Sequence, residues 1–146
     1  MTQLGMTPKE AVDIGTTLLK QGKLQEAELC LRAGYEASHE SLGALHNTTI
    51  IAGNNLGALL ARKGKQAEAE AFFREAVDAS RKVFGPRDPD TLMKIASLAG
   101  SLQKQGKAAE SARLFKEAVD GRREIFGAQH PSTLMSMNNL GRVLED

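Results

Sequence analysis

Few side chains in this 146-residue chain could do chemistry. Three histidines, His39, His46 and His130, stand in or near links between helical segments. His46 and His130 share a register with Asp88, each beside a helix start. An imidazole there is expected to cap or shape a turn rather than move a proton. The Gly-Lys pairs at Gly22-Lys23, Gly64-Lys65 and Gly106-Lys107 lack the rest of a phosphate-cradling loop and read as turns. No close carboxylate–histidine set has metal-ligand spacing. Cys30 is the single cysteine, which leaves no intrachain disulfide and no cysteine-based zinc site. On an apolar helix face it reads as a small buried hydrophobe. The expectation is a chain with no catalytic residue, no metal and no cofactor.

The elements that hold these residues come from an internal repeat of about 42 residues. Gly22, Gly64 and Gly106 align, as do Glu26, Glu68 and Glu110. Leu31, Phe73 and Phe115 align, and so do Gly43, Gly85 and Gly127. Upstream, Ile14, Leu56, Leu98 and Leu140 form one register, and Leu18, Leu60, Leu102 and Leu144 another. In such a chain each unit buries its apolar face on the next, and stability is roughly a sum over neighbours.

Taken in order, residues 1–7 carry no pattern and are expected to fray. Thr7-Pro8 then starts a helix, with Thr as cap and Pro at the first position. The first A helix is placed at about Pro8 to Gln21, with Val12, Ile14 and Leu18 apolar. Gly22 ends it. The first B helix spans about Leu24–Leu42, its face set by Ala27, Leu31, Gly34, Ser38 and Leu42. Asn47 is read as the cap of the second A helix, which reaches Lys63 with Ile50, Leu56 and Leu60 inward. The second B helix occupies about Gln66 to Phe84, with Ala69, Phe73, Ala76, Ser80, Val83 and Phe84 on its face. Asp88-Pro89 starts a third A helix to Gln105, and a B helix follows from Ala108 to Phe126. The last A helix runs from Pro131 to the end, with Leu134, Met137, Leu140 and Leu144 inward. The reading is an all-α, right-handed α-solenoid of antiparallel helix hairpins with seven helices. A single array fills 8–146, as hairpins at about 8–43, 47–85 and 89–127 and an unpaired helix at 131–146. No segment alternates with the period of a strand.

A net charge of +1 argues against a broad footprint for nucleic acid or an anionic membrane. With no Trp and one Tyr, a base-stacking platform is not expected. No run approaches a membrane span, and the first residues lack the basic start and apolar core of a secretory signal. The expected compartment is cytoplasmic.

Asn54-Asn55-Leu56-Gly57, then Leu60, Gly64, Glu68-Ala69, Phe73 and Ala76-Val77, resemble a tetratricopeptide repeat. The period exceeds the usual 34 residues of that repeat. The longer period, the Asn-Asn-Leu-Gly strings at 54–57 and 138–141, and Phe126-Gly127-Ala128-Gln129-His130-Pro131 are similar to the arrays of kinesin light chain-like proteins. The resemblance covers about residues 8–146. The heptad coiled coil of a motor subunit is absent.

The resemblance implies that A helices line a concave groove and that ligand contacts come from fixed positions. Carried over, these are Val12, Asn54, Ala96 and Asn138 at one level, with Asp13, Asn55, Ser97 and Asn139 beside them. Thr16, Ala58, Gly100 and Arg142 come one turn later, and Lys20, Arg62 and Lys104 near the helix ends. A side-chain amide both donates and accepts, so it can bond the backbone of an extended peptide. The basic ladder would favour an acidic ligand or a terminal carboxylate; its other reading is plain complementarity to the helix dipole. The asparagines could equally bond one another's repeats. Ala96 and Gly100 would leave room for a bulky anchor.

The last helix has no B partner, so its apolar face would meet water unless a longer array, a second copy or another protein covers it. The function expected is a non-enzymatic protein–protein interaction module or adaptor, binding an extended, acidic peptide in the groove. The alternative is an assembly subunit docked through its open end and convex face.

Overall fold

The computed structural model describes residues 1–145, so the last position of the expected final helix lies outside the described residues. Among those residues there are seven α-helices: α1 (Pro8–Lys20), α2 (Leu24–Leu42), α3 (Asn47–Arg62), α4 (Gln66–Val83), α5 (Pro89–Lys104), α6 (Ala108–Phe126) and α7 (Pro131–Glu145). They form two compact units, Met1–Ala79 and Ser80 onward.

Local chemistry sets the helix ends. Thr7 and Glu10 make a reciprocal capping box: Thr7 Oγ1 accepts from Glu10 N at 3.2 Å, and Glu10 Oε1 accepts from Thr7 N at 3.0 Å. The Thr7 backbone N–H, then the Thr7 hydroxyl, holds the Glu10 carboxyl below its ordinary range. Pro8 and Pro89 occupy first-turn positions where no N–H is needed. Gly22, Gly64 and Gly106 follow the A helices with φ near +80° (78°, 82° and 80°), a conformation that other side chains resist.

In the first unit α1 packs on α2 and α3 on α4 through small-residue seats. Leu31 rests on Gly15, Val12 on Gly34, and Phe73 on Gly57. Side chains then stitch the B helices. Arg32 bonds Glu28 and Glu68, both at 2.8 Å, and Tyr35 OH donates to Glu75 Oε1 at 2.7 Å. In the second unit Leu92 rests on Gly121, while Ala99, Phe115 and Val143 form one cluster. Arg81 reaches both carboxylate oxygens of Glu117, at 2.8 and 2.9 Å.

Several expectations need correction. Residues 3–6 form a turn. Thr2 is buried, its hydroxyl accepts from Leu4 N and Met6 N, and its own N–H donates to Met6 O. The cap of α3 is His46, whose Nδ1 accepts from Thr48 N at 3.1 Å; Asn47 is already helical. Ile14 is exposed, because Ala11, Val12, Gly15 and Leu19 form the buried stripe of α1. Leu42, Val83 and Phe84 lie exposed at the ends of B helices. Cys30 is only half-buried; burial, followed by the nearby Glu26, raises its thiol pKa. On α7 the fully buried side chains are Thr133, Ser136 and Val143, a second stripe beside the leucine face that was expected to lie open without a B partner. Leu140 packs partly on the Ala99–Phe115–Val143 cluster, while Leu134, Met137 and Leu144 face solvent.

Candidate binding surface

In the first unit the singled-out residues lie on α1 and α3, and several of them are engaged with the protein itself. Asn55 Nδ2 donates to Thr16 Oγ1 at 2.8 Å, and that hydroxyl donates to Val12 O at 2.8 Å. Arg62 Nη1 donates at 2.9 Å to Leu19 O, a carbonyl in the last turn of α1 that also accepts from Gly22 N. It also brings a second cation to the neighbour of Lys20. Asn54 differs from both. It is half-buried, and its Oδ1 is enclosed without a hydrogen-bond partner. Lys20 is exposed and Ala58 half-buried. Val12, in register with Asn54, is buried against Gly34 and offers no open surface.

The second unit carries the same positions on α5 and α7. Ala96 is half-buried against the Ala99–Phe115–Val143 cluster. A methyl group on Gly100 would meet no atom within 4 Å. Lys104 and Asn138 are exposed. Asn139 Oδ1 accepts from Arg142 Nη2 at 2.7 Å, so these two are paired with each other. The structure therefore leaves Lys20, Lys104 and Asn138 open, and commits Asn55, Arg62, Asn139 and Arg142 to internal bonds.

Two features escaped sequence reasoning. Thr16 anchors Asn55, a pairing that depends on how α1 meets α3. The other is a cation register, His39, Arg81 and Arg123, on the B helices. His39 Nε2 lies 3.4 Å from Glu75 Oε1 and Arg81 bonds Glu117. The spacing of about 42 residues could have exposed this register in the sequence.

A cleft of about 450 Å³ lies elsewhere, between the N-terminal turn and α2, with Leu4, Leu29 and Ala33 beside Glu28, Arg32 and Lys63. A shallower one of about 300 Å³ lies along α1 at Asp13, Ile14, Thr17, Leu18 and Gln21. Among the described residues no three His, Cys, Asp or Glu side chains are grouped to hold a metal ion. No helix there is long and apolar enough to cross a membrane.

Hairpins of this kind, repeating in register, are matched by the family model of the tetratricopeptide repeat over residues 11–82 and 90–146. The chain belongs to the tetratricopeptide repeat family. Among solved structures, the tetratricopeptide chain is similar to nearly identical TPR-like repeats from Podosopora anserina, described as a kinesin light chain. Identity is 21%, the TM-score is 0.83, and the match covers 93% of this chain and 64% of that one. A form of that same protein carrying one substitution matches with a TM-score of 0.82 at 21% identity, covering 92% and 63%. BtubC (BKLC) from P. vanneervenii matches with a TM-score of 0.84 at 16% identity, covering 90% and 53%. No curated protein matches the sequence significantly. These likenesses show the fold, an all-α solenoid of helix hairpins of the kinesin light chain-like kind. The chain spans less than two thirds of the length of each of these relatives.

Proposed function

We propose that this chain is a non-enzymatic adaptor whose A-helix faces hold an extended, acidic peptide. Tetratricopeptide repeats are protein–protein interaction modules, and this chain carries their fold. The observation that carries the finer reading is Asn54. Its enclosed Oδ1 lacks a partner, and an unpaired buried acceptor costs about 1–3 kcal/mol. A rotation of the half-buried amide that turns Oδ1 to a peptide N–H would remove that cost. Lys20, with Arg62 on the adjacent Leu19 carbonyl, supports an acidic ligand. The exposed Lys104 offers the same charge on α5.

Selection from a random peptide library tests this. Acidic extended sequences should be enriched. Their binding should weaken about tenfold, the loss of ~1.4 kcal/mol, with Asn54→Ala or with Lys20→Glu plus Lys104→Glu. It should also weaken with added salt. Enrichment of neutral or basic peptides, or indifference to these changes, overturns the reading. Arg62 is left intact in this test because its bond to Leu19 O is structural.

A second reading, an assembly subunit docked through α7, is favoured by the exposure of Leu134, Met137 and Leu144.

A further inference from the structure

One exposed face of α2 carries apolar side chains where the other B helices carry small or charged ones. Leu29 is 63% exposed in the body of the helix, and Leu4 of the N-terminal turn is 46% exposed beside the same cleft. With Ala33 they line this cleft of about 450 Å³. In the repeat register Leu29 stands where α4 has Ala71 and α6 has Arg113. Ala33 stands where they have Glu75 and Glu117. The wall formed by the turn is built in advance. Thr2 Oγ1 accepts from Leu4 N at 3.2 Å and from Met6 N at 3.3 Å, which fixes the segment that holds Leu4. A wall already in place spares a ligand the cost of ordering it.

Charge around the cleft is one-sided. Its cations are already engaged: Arg32 holds Glu28 and Glu68, and Lys63 holds Glu28. Glu36 lines the cleft, is exposed, and has no ion pair among the described residues. A second hollow shares Glu36 and runs on to Glu40, one turn later and equally exposed and unpaired among those residues. Helix α2 as a whole sets Glu26, Glu28, Glu36 and Glu40 against Arg32 and the imidazole of His39. An apolar cleft with free carboxylates at one end is complementary to a cationic, apolar occupant. A second copy of this chain does not supply one, because no helix of the described residues has more than one cation in excess of its carboxylates. The counter-charge has to come from a different protein.

We propose that this cleft docks a basic amphipathic helix of another protein, of the pattern Leu/Phe-x3-Lys/Arg-x3-Lys/Arg. The large side chain enters between Leu4, Leu29 and Ala33, and the two cations pair with Glu36 and Glu40. The spacing follows from a helix rise of about 1.5 Å per residue. Cations four and eight residues past the anchor stand about 6 and 12 Å along the partner helix. Measured from midway between Leu29 and Ala33, Glu36 and Glu40 stand about 7.5 and 13.5 Å along α2, a difference that long side chains absorb. This site lies apart from the A-helix faces and takes the opposite charge, so it goes beyond the adaptor reading without resting on it.

The probe is a labelled, alanine-rich peptide of about 18 residues, long enough to form helix, with one Phe and with Lys four and eight residues after it. It is titrated onto the full chain by fluorescence anisotropy. Saturable binding is expected, about tenfold weaker with Leu29→Gln in the protein or with the peptide's Phe replaced by Ala, as for a buried anchor. Leu29→Gln should leave Tm unchanged, because that side chain is largely in water. Glu36→Lys with Glu40→Lys should weaken binding about fivefold, as for two exposed pairs, and a peptide with Glu in place of both Lys should recover it on that variant. Asn54→Ala, or Lys20→Glu with Lys104→Glu, should leave this binding unchanged, which separates it from the acidic-peptide reading. Absence of saturable binding, equal binding of the Glu-bearing peptide to the wild-type chain, or indifference to Leu29→Gln each overturns the proposal. So would a dimer by light scattering that Leu29→Gln dissolves, since a second copy would then occupy the cleft.

Discussion

A methyl carbon on Gly57 would stand 2.9 Å from Cδ1 and Cε1 of the Phe73 ring. The aromatic ring of α4 therefore lies directly on the backbone of α3. Phe73 is buried, so its ring has little room to retreat. Gly57→Ala gains up to ~1 kcal/mol of helix propensity but forces this overpacking, which costs about 1–3 kcal/mol. The net expectation is a loss of roughly 1 kcal/mol in urea unfolding. Gly100 is the control on α5, because nothing lies within 4 Å of its added methyl. Gly100→Ala should stabilise by about 0.5–1 kcal/mol. The same substitution with opposite signs at two helix interiors would show that packing, not propensity, selected Gly57. In the proposed peptide site, Gly100→Leu should keep the helical circular dichroism signal and block binding.

The starts of α3, α5 and α7 use one capping geometry with two chemistries. Asp88 Oδ1 accepts from Asp90 N at 2.9 Å. His46 Nδ1 accepts from Thr48 N at 3.1 Å, and His130 Nδ1 from Ser132 N at 3.1 Å. His130 also stacks on Phe126, with ring centroids 4.6 Å apart. His46→Ala should cost about 1 kcal/mol as a lost cap. His46→Asp should retain the cap and add a carboxylate at a helix N-terminus, for a gain of about 0.3–1 kcal/mol. Thermal melts of the two variants check this at fixed neutral pH.

Glu28 links α2 to α3 through Lys63 Nζ at 2.7 Å and also holds Arg32 Nε at 2.8 Å. The hydrogen bond from Lys63, then that from Arg32, holds its carboxyl below the usual glutamate range. A folded pKa below the unfolded one contributes stability that is complete above the unfolded value of about 4.3. That stability is lost as pH falls through the folded value. Glu28→Gln should therefore cost about 0.5–1 kcal/mol at pH 7, and the difference from wild type should shrink on acidification. Urea unfolding between pH 7 and pH 3 measures it. A difference that stayed constant with pH would assign the effect to packing.

Lys94 is 5% exposed, in register with the buried Ala52 and Ser136. Burial lowers its ammonium pKa, and the nearby Asp90 and then Asp88 oppose the shift. A depressed lysine pKa means that the unfolded chain binds the proton more tightly. Stability then rises with pH from the folded value toward the ordinary value of about 10.4. Lys94→Met should stabilise by roughly 1 kcal/mol at pH 7 and remove that alkaline rise. Denaturation at pH 7 and pH 9.5 distinguishes this from an unspecific gain.

What was legible in the sequence was local. α2 and α6 begin and end where the residue types place them, because Gly43 and Gly127 take a positive φ that suits glycine and Gly-Lys turns set the starts. The repeat register was also readable, since it is a matter of spacing along the chain. The covered face of α7 was not. Only the neighbouring α6 decides that Thr133, Ser136 and Val143 are buried, while Leu134 and Leu144 lie open as expected of a helix without its B partner. The same holds for the surface polar groups. The amide of Asn55 and the guanidinium of Arg62 have the chemistry to hold a ligand. Their partners, Thr16 and the Leu19 carbonyl, come from about 40 residues earlier in the chain, brought within hydrogen-bond reach by the packing of α3 on α1. Residue type determined which bonds each side chain was able to make; the three-dimensional neighbours determined which ones it had already made.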